Sequence, residues 1–84
     1  MKYYIIDTNH NEILSNDMHN PNDRNPRYYW YDINYSEDGD IIPFESYKDA
    51  QLALKNEKKA WEHFTYDTSA FKIINENEYI AYIL

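Results

Sequence analysis

Arg27-Tyr28-Tyr29-Trp30-Tyr31-Asp32-Ile33-Asn34-Tyr35-Ser36, followed by Glu37-Asp38-Gly39-Asp40 and Ile41-Ile42-Pro43-Phe44, is the stretch whose reading decides the fold. Aromatic and β-branched residues fit a pleated strand, and side chains along a strand alternate between its two faces. Asp38-Gly39 is a dipeptide favoured in two-residue type I′ hairpin turns, because both central residues of that turn need a positive φ. With the turn placed there, Glu37 faces Asp40, Tyr35 faces Ile42 and Ile33 faces Phe44, and Tyr29 and Tyr31 continue the same apolar face. The opposite face then carries Tyr28, Trp30, Asp32, Asn34 and Ser36 with Ile41 and Pro43. Trp30 is the residue out of place on such a mixed surface, so Tyr28 and Trp30 are the candidates for exposed contact residues, the alternative being that a helix or loop covers this face and buries them too. The like charges of Glu37 and Asp40 oppose each other, which also allows a turn one residue longer.

Working outward, Tyr3-Tyr4-Ile5-Ile6 reads as a first, largely buried strand, and Thr8 to Asn11 supply turn chemistry. Ile13 and Leu14 then return as a short second strand. Ser15 to Pro26 is rich in Asn, Asp and Pro, and reads as a long solvated loop. On the other side, Ser46 is placed to cap a helix running from about Tyr47 to Phe64, with Asp49 in its first turn. Tyr47, Ala50, Leu54, Trp61 and Phe64, with the aliphatic stem of Lys58, lie near one stripe at helical spacing and point to a sheet-facing side. Phe71-Lys72-Ile73-Ile74 and Tyr79-Ile80-Ala81-Tyr82-Ile83-Leu84 flank Asn75-Glu76-Asn77-Glu78. They read as a closing hairpin, or as one bulged strand. The pattern is that of an α+β fold, a small mostly antiparallel β-sheet with one α-helix packed on one face. Residues 1–84 are expected to form a single domain, since 84 residues suffice for one core and not for two.

Composition narrows the function classes. Hydrophobic residues are 43% of the chain and aromatics 18%, with ten tyrosines, so the chain carries more apolar surface than a disordered acidic tail. Ile and Asn also occur ten times each while Val and Cys are absent, a bias expected of AT-rich coding DNA and hence of a low-GC bacterium or its phage. The absence of Cys excludes disulfides, thiolate zinc sites and cysteine nucleophiles. MKYYIID has no long apolar stretch of the kind that anchors or exports a chain, so a cytoplasmic location is expected, in the bacterial host cell if the protein is phage-encoded. Fifteen carboxylates against eight Lys and Arg give a net charge of −7. That charge disfavours direct contact with nucleic acid or anionic membrane, and it attracts basic surfaces.

Catalytic patterns are poorly served. Gly39 is the only glycine, so neither a P-loop nor a dinucleotide fingerprint can be written, and no cofactor is expected. Ser15, Ser36, Ser46 and Ser69 have no nucleophile-elbow context. His10, His19 and His63 show no i, i+4 pair, and Asp17 with His19 and Asp23 is the one metal-like grouping in a loop that turn chemistry already explains. Asp32, Asn34, Asp38 and Asp40 match a calcium loop poorly, because glycine is at the wrong offset and the bidentate Glu is missing. The chain is therefore expected not to be an enzyme.

What remains is an excess of carboxylates and of Tyr and Trp, side chains that bury much area with few rotatable bonds and dominate interface hot spots. These properties are shared in kind with phage-encoded inhibitors of restriction or CRISPR effectors, some of them nucleic-acid mimics, and with acidic immunity proteins that cover a nuclease. The expected partner is a protein, of the basic nucleic-acid-binding type, with Tyr28, Trp30, Asp32, Glu37, Asp38, Asp40, Glu76 and Glu78 as contact residues and no metal or cofactor. The alternative is a structural or accessory module that self-associates through a strand edge, and the chain is expected to be a monomer or a homodimer.

Overall fold

A computed structural model of the chain describes residues 1–19, 27–34 and 41–83. Among these residues, strands β1 (Tyr3–Asp7), β2 (Glu12–His19), β3 (Arg27–Asp32) and β4 (Phe71–Asn75) form one antiparallel sheet in the order β3-β2-β1-β4. Helices α1 (Tyr47–Glu62) and α2 (Glu76–Ile83) complete a small α+β fold.

Both faces of the sheet are covered, which explains why β1 reads as an unbroken apolar run. Ile5 and Leu14 face α1 and are buried with Phe44, Ala50 and Ala53. Ile6, Ile13 and Ile74 point the other way and are buried with Tyr31, Ile33, Ile41 and Tyr79 partly covering them. On α1 the fully buried positions are Ala50, Ala53 and Glu57, and the two alanines are small enough for close approach to the sheet. Tyr47 and Phe64, expected on the core stripe, are exposed, and the helix ends at Glu62.

The expected hairpin between residues 27–36 and 41–44 is corrected. Strand β3 pairs with β2, Leu14 lying opposite Trp30 and Ile13 opposite Tyr31. Phe44 bridges Tyr3 instead of Ile33, exchanging hydrogen bonds of 2.9 and 2.8 Å. Ile42, expected opposite Tyr35, accepts from the Asn16 N–H at 2.7 Å and donates to the buried Ser15 Oγ at 2.8 Å. Residues 42–44 thus tie β1 to β2 where their own pairing ends, and β2 is irregular between Ser15 and Met18. Pro43, which has no N–H to offer, sits between the two bonding residues. The Asp38-Gly39 turn lies outside the described residues. The loop expected over Ser15 to Pro26 is likewise shortened, since β2 continues to His19.

The closing hairpin is also corrected. After β4 the chain forms α2, because Asn75 and Glu78 make a reciprocal cap: Asn75 Oδ1 accepts from the Glu78 N–H at 2.9 Å and Glu78 Oε1 accepts from the Asn75 N–H at 3.1 Å. Two free amides are satisfied at once, and this outweighs the strand preference of Tyr79 and Ile80. Stacking of Tyr79 on Tyr4, with ring centroids 4.2 Å apart, seats the helix on the second face. Asn75→Ala is expected to cost about 1 kcal/mol, read as a fall of roughly 4–8 °C in thermal unfolding.

Candidate functional site

At one end of the sheet the strand register sets three carboxylates side by side. Asp7 on β1 lies opposite Glu12 on β2, and Glu12 lies opposite Asp32 on β3. On the far side of Asp7 the row ends at Phe71 of β4. Like charges directly opposite each other destabilise a sheet. The Glu12 carboxyl is pushed above its ordinary pKa, chiefly by burial, with His10 opposing the shift and Asp7 and Asp32 adding to it.

Asp7 is 2% exposed and fully engaged. Its Oδ1 accepts from the Asn9 N–H at 2.9 Å, closing an Asx turn at the start of the β1–β2 connection. Its Oδ2 lies 2.9 Å from His10 Nδ1 and 3.2 Å from the Tyr66 hydroxyl. The Tyr66 hydroxyl is also 2.6 Å from His10 Nδ1, and the two rings stack with centroids 5.3 Å apart. These contacts are mutually compatible when Nδ1 carries a proton shared between Asp7 and the phenolic oxygen while the phenol donates to Asp7. The Tyr66 phenol is pushed above its ordinary pKa, first by burial and then by the Asp7 charge and hydrogen bond.

Tyr66 reaches this position through the end of α1. The Tyr66 N–H returns to the Trp61 carbonyl at 3.2 Å and the Thr65 N–H to the Glu62 carbonyl at 3.0 Å, the pair of bonds that defines a Schellman cap. Trp61 and Tyr66 supply the apolar contact that accompanies such a cap, with ring centroids 5.2 Å apart. The left-handed residue is Thr65, at φ 60°, where glycine is the usual choice and a β-branched side chain is strained. Thr65→Gly is expected to raise stability by about 1 kcal/mol, visible as a higher melting temperature.

Between the carboxylate row and the end of α1 lies a cavity of about 120 Å³ lined by Asp7, Glu12, Trp30, Trp61, Tyr66 and Phe71. Its walls are largely aromatic: Trp30 and Phe71 have centroids 4.8 Å apart and Tyr66 and Phe71 6.2 Å. Among the described residues no Lys or Arg lies within ion-pair distance of Asp7 or Glu12, and the ion-pair contact of Asp7 is with His10. Ligand atoms of Asp7, His10 and Glu12 lie within 4.8 Å of one another, a spacing a cation could bridge. The arrangement is suited to holding positive charge. It offers no serine or cysteine nucleophile beside a base.

The contact residues expected from sequence fall into separate places. Tyr28 and Trp30 are corrected from exposed to half-buried: both point toward α1 and pack on its core cluster, and Tyr29 is the exposed ring, at 42%. Trp30 nevertheless lines the cavity, and Asp32 stands at the end of the carboxylate row. Glu76 and Glu78 lie at the opposite end of the sheet, where Glu78 caps α2 and Glu76 Oε1 accepts from the Lys2 N–H at 3.1 Å. Glu37, Asp38 and Asp40 lie outside the described residues, as does Asp23, so the grouping of Asp23 with Asp17 and His19, whose backbones belong to β2, is not described as a whole.

Sequence reading missed Asp7, Glu12, His10, Trp61, Tyr66 and Phe71. One signal was available: any hairpin closing over residues 8–11 sets Asp7 against Glu12, an unfavourable pairing that asks for a reason. Nothing local indicates that Tyr66, 59 residues along the chain, completes the group.

Comparison with protein-family models, with curated proteins and with solved structures returned no match. The functional reading therefore rests on the geometry of the chain itself.

Proposed function

We propose that the chain is a non-catalytic binding protein that covers a basic surface of another protein, of the kind nucleases and other nucleic-acid-binding proteins present to phosphates. The observation that supports this is the Asp7-Glu12-Asp32 row, kept together on adjacent strands although like charges repel and no Lys or Arg among the described residues offsets them. Glu12 and the exposed Asp32 stand on adjacent strands about 4.8 Å apart, with the buried Asp7 beside Glu12, so negative charge is concentrated at this end of the sheet. The net charge of −7 adds long-range steering toward a basic target. Inhibitors of restriction or CRISPR effectors, and immunity proteins for nuclease toxins, are the protein kinds that use such a surface.

The test is affinity capture from lysate of a low-GC bacterium with the wild type and with a Glu12→Gln, Asp32→Asn double variant, at low and high salt. The expected result is a basic nucleic-acid-binding protein that is retained by the wild type, released by salt or by competing DNA or RNA, and retained poorly by the variant. Retention indifferent to salt and to the substitutions would overturn the reading.

A second reading has its own observation. β3 is an outer strand of the sheet and carries the exposed Tyr29, so two copies could pair edge to edge through Arg27–Asp32. Light scattering at high concentration decides this: a mass that stays at one chain removes self-association.

A further inference from the structure

We infer that the cavity above the carboxylate row takes the ammonium end of a lysine side chain, so that the partner's basic surface is read through an inserted lysine. This rests on the reading of the chain as a cover for a basic protein and names the chemistry it recognises. The volume of about 120 Å³ approaches that of cavities of about 150 Å³ that accept a benzene ring, which is room for an ammonium and its last methylenes.

The lining is what such a group needs. Trp30, Trp61, Tyr66 and Phe71 offer ring surface to the methylene stem and ring quadrupoles to the charge. Asp7 and Glu12 supply the counter-charge at the same cavity, with Asp32 one strand beyond. Asp7 is held in place by Asn9, His10 and Tyr66, while Glu12 is the carboxylate with capacity to accept a donor. Burial, with Asp7 and Asp32 adding to it and His10 opposing it, makes the ionised Glu12 costly, and an entering cation offsets that cost.

Two other occupants fit less well. A planar guanidinium held between two rings needs them parallel, whereas Trp30 and Phe71 are inclined at 43°, and Trp61 and Tyr66 at 49°, an arrangement that a rounded ammonium tolerates. A hard metal ion takes about six or more oxygen ligands, but most of this lining is aromatic carbon.

The chain reports on the cavity directly, because both of its tryptophans line it. Titrating the full chain with N-acetyl-lysinamide at low salt, and following tryptophan fluorescence, is expected to give a saturable change with Kd on the order of 1 mM. The neutral isostere N-acetyl-norleucinamide is expected to give none, and N-acetyl-argininamide to bind more weakly. Glu12→Gln is expected to weaken lysinamide binding by at least about tenfold, with its melting temperature unchanged or higher. The inference is overturned if lysinamide does no better than norleucinamide, if argininamide binds tighter, or if Glu12→Gln leaves lysinamide affinity intact. Should the variant fail to fold, the comparison of the two amides on the wild type decides. Salt-sensitive capture of a basic protein that lysinamide neither binds beside nor competes with would remove the lysine pocket and leave the proposed function standing. Lysinamide binding without any such capture would do the reverse.

Discussion

Replacing Trp30 by Ala is expected to lower the stability of the fold by about 3 kcal/mol, a drop of roughly 12–24 °C in melting temperature for a domain of this size. Trp30 stands opposite Leu14 on the neighbouring strand, packs against the core cluster under α1, and lies 4.8 Å from Phe71 between ring centroids. Removing the indole leaves a void that the sheet cannot close, because Leu14 and Phe71 are fixed in their own strands. Total stability for a chain of this length is on the order of 4–13 kcal/mol, so the loss is a large fraction of it. Tyr29 is the control. It points to the other face and is 42% exposed, and Tyr29→Ala is expected to cost less than about 1 kcal/mol. Equal effects of the two substitutions in thermal unfolding would refute the inward orientation of Trp30. Trp30→Phe separates packing from hydrogen bonding. The indole N–H is buried with no acceptor among the described residues, so Phe keeps a ring in place and removes an unsatisfied donor, and the variant is expected to lose much less than Trp30→Ala.

The second large effect belongs to Glu12, and its sign is unusual. Its carboxyl is raised above the ordinary value in the fold, so the folded state holds the proton more tightly than the unfolded chain does. Stability is then greatest below the unfolded value and falls as pH rises through the raised value. The groups facing Glu12 are Asp7 and Asp32, which raise it, and His10, which opposes them. Glu12→Gln removes a partly buried charge and its repulsion by Asp7 and Asp32, along with the attraction of His10, and is expected to stabilise the fold at neutral pH by about 0.5 kcal/mol, or roughly 2–4 °C. The gain should vanish below about pH 4, where Glu12 is protonated in both states. The same substitution is expected to weaken binding of a basic partner or of a lysine analogue by at least about tenfold. A group kept at the expense of stability and needed for binding is the pattern of a functional site. Parallel thermal melts at neutral and acid pH, alongside the binding titration, test it: a variant less stable at neutral pH would return Glu12 to an ordinary structural role.

The legible parts of the fold were those in which a local pattern and its burial agree. Tyr3 to Ile6 is a strand in sequence and in the sheet, and Ser46 caps α1 as its position before Tyr47 indicates, its hydroxyl accepting from the Asp49 N–H at 3.1 Å. The misread parts were those in which two local signals compete. Residues 79–83 have strand composition, yet the Asn75–Glu78 cap starts a helix there. Residues 41–44 look like a return strand, yet Phe44 finds Tyr3 and Ile42 finds Ser15 and Asn16.

The sequence by itself determined the α+β class, the start of α1 and the acidic field, because each depends on residue types and short-range spacing. Only the tertiary structure decided which face of β3 is inward and which residues make the site. Alternation along a strand assigns side chains to two faces without saying which face the helix covers. Trp30, Trp61, Tyr66 and Phe71 meet Asp7 and Glu12 because β3, α1 and β4 are brought to one end of the sheet by the strand register and by the Schellman cap at Thr65. Contacts over such separations are set by packing of the whole chain, which no short window of sequence contains.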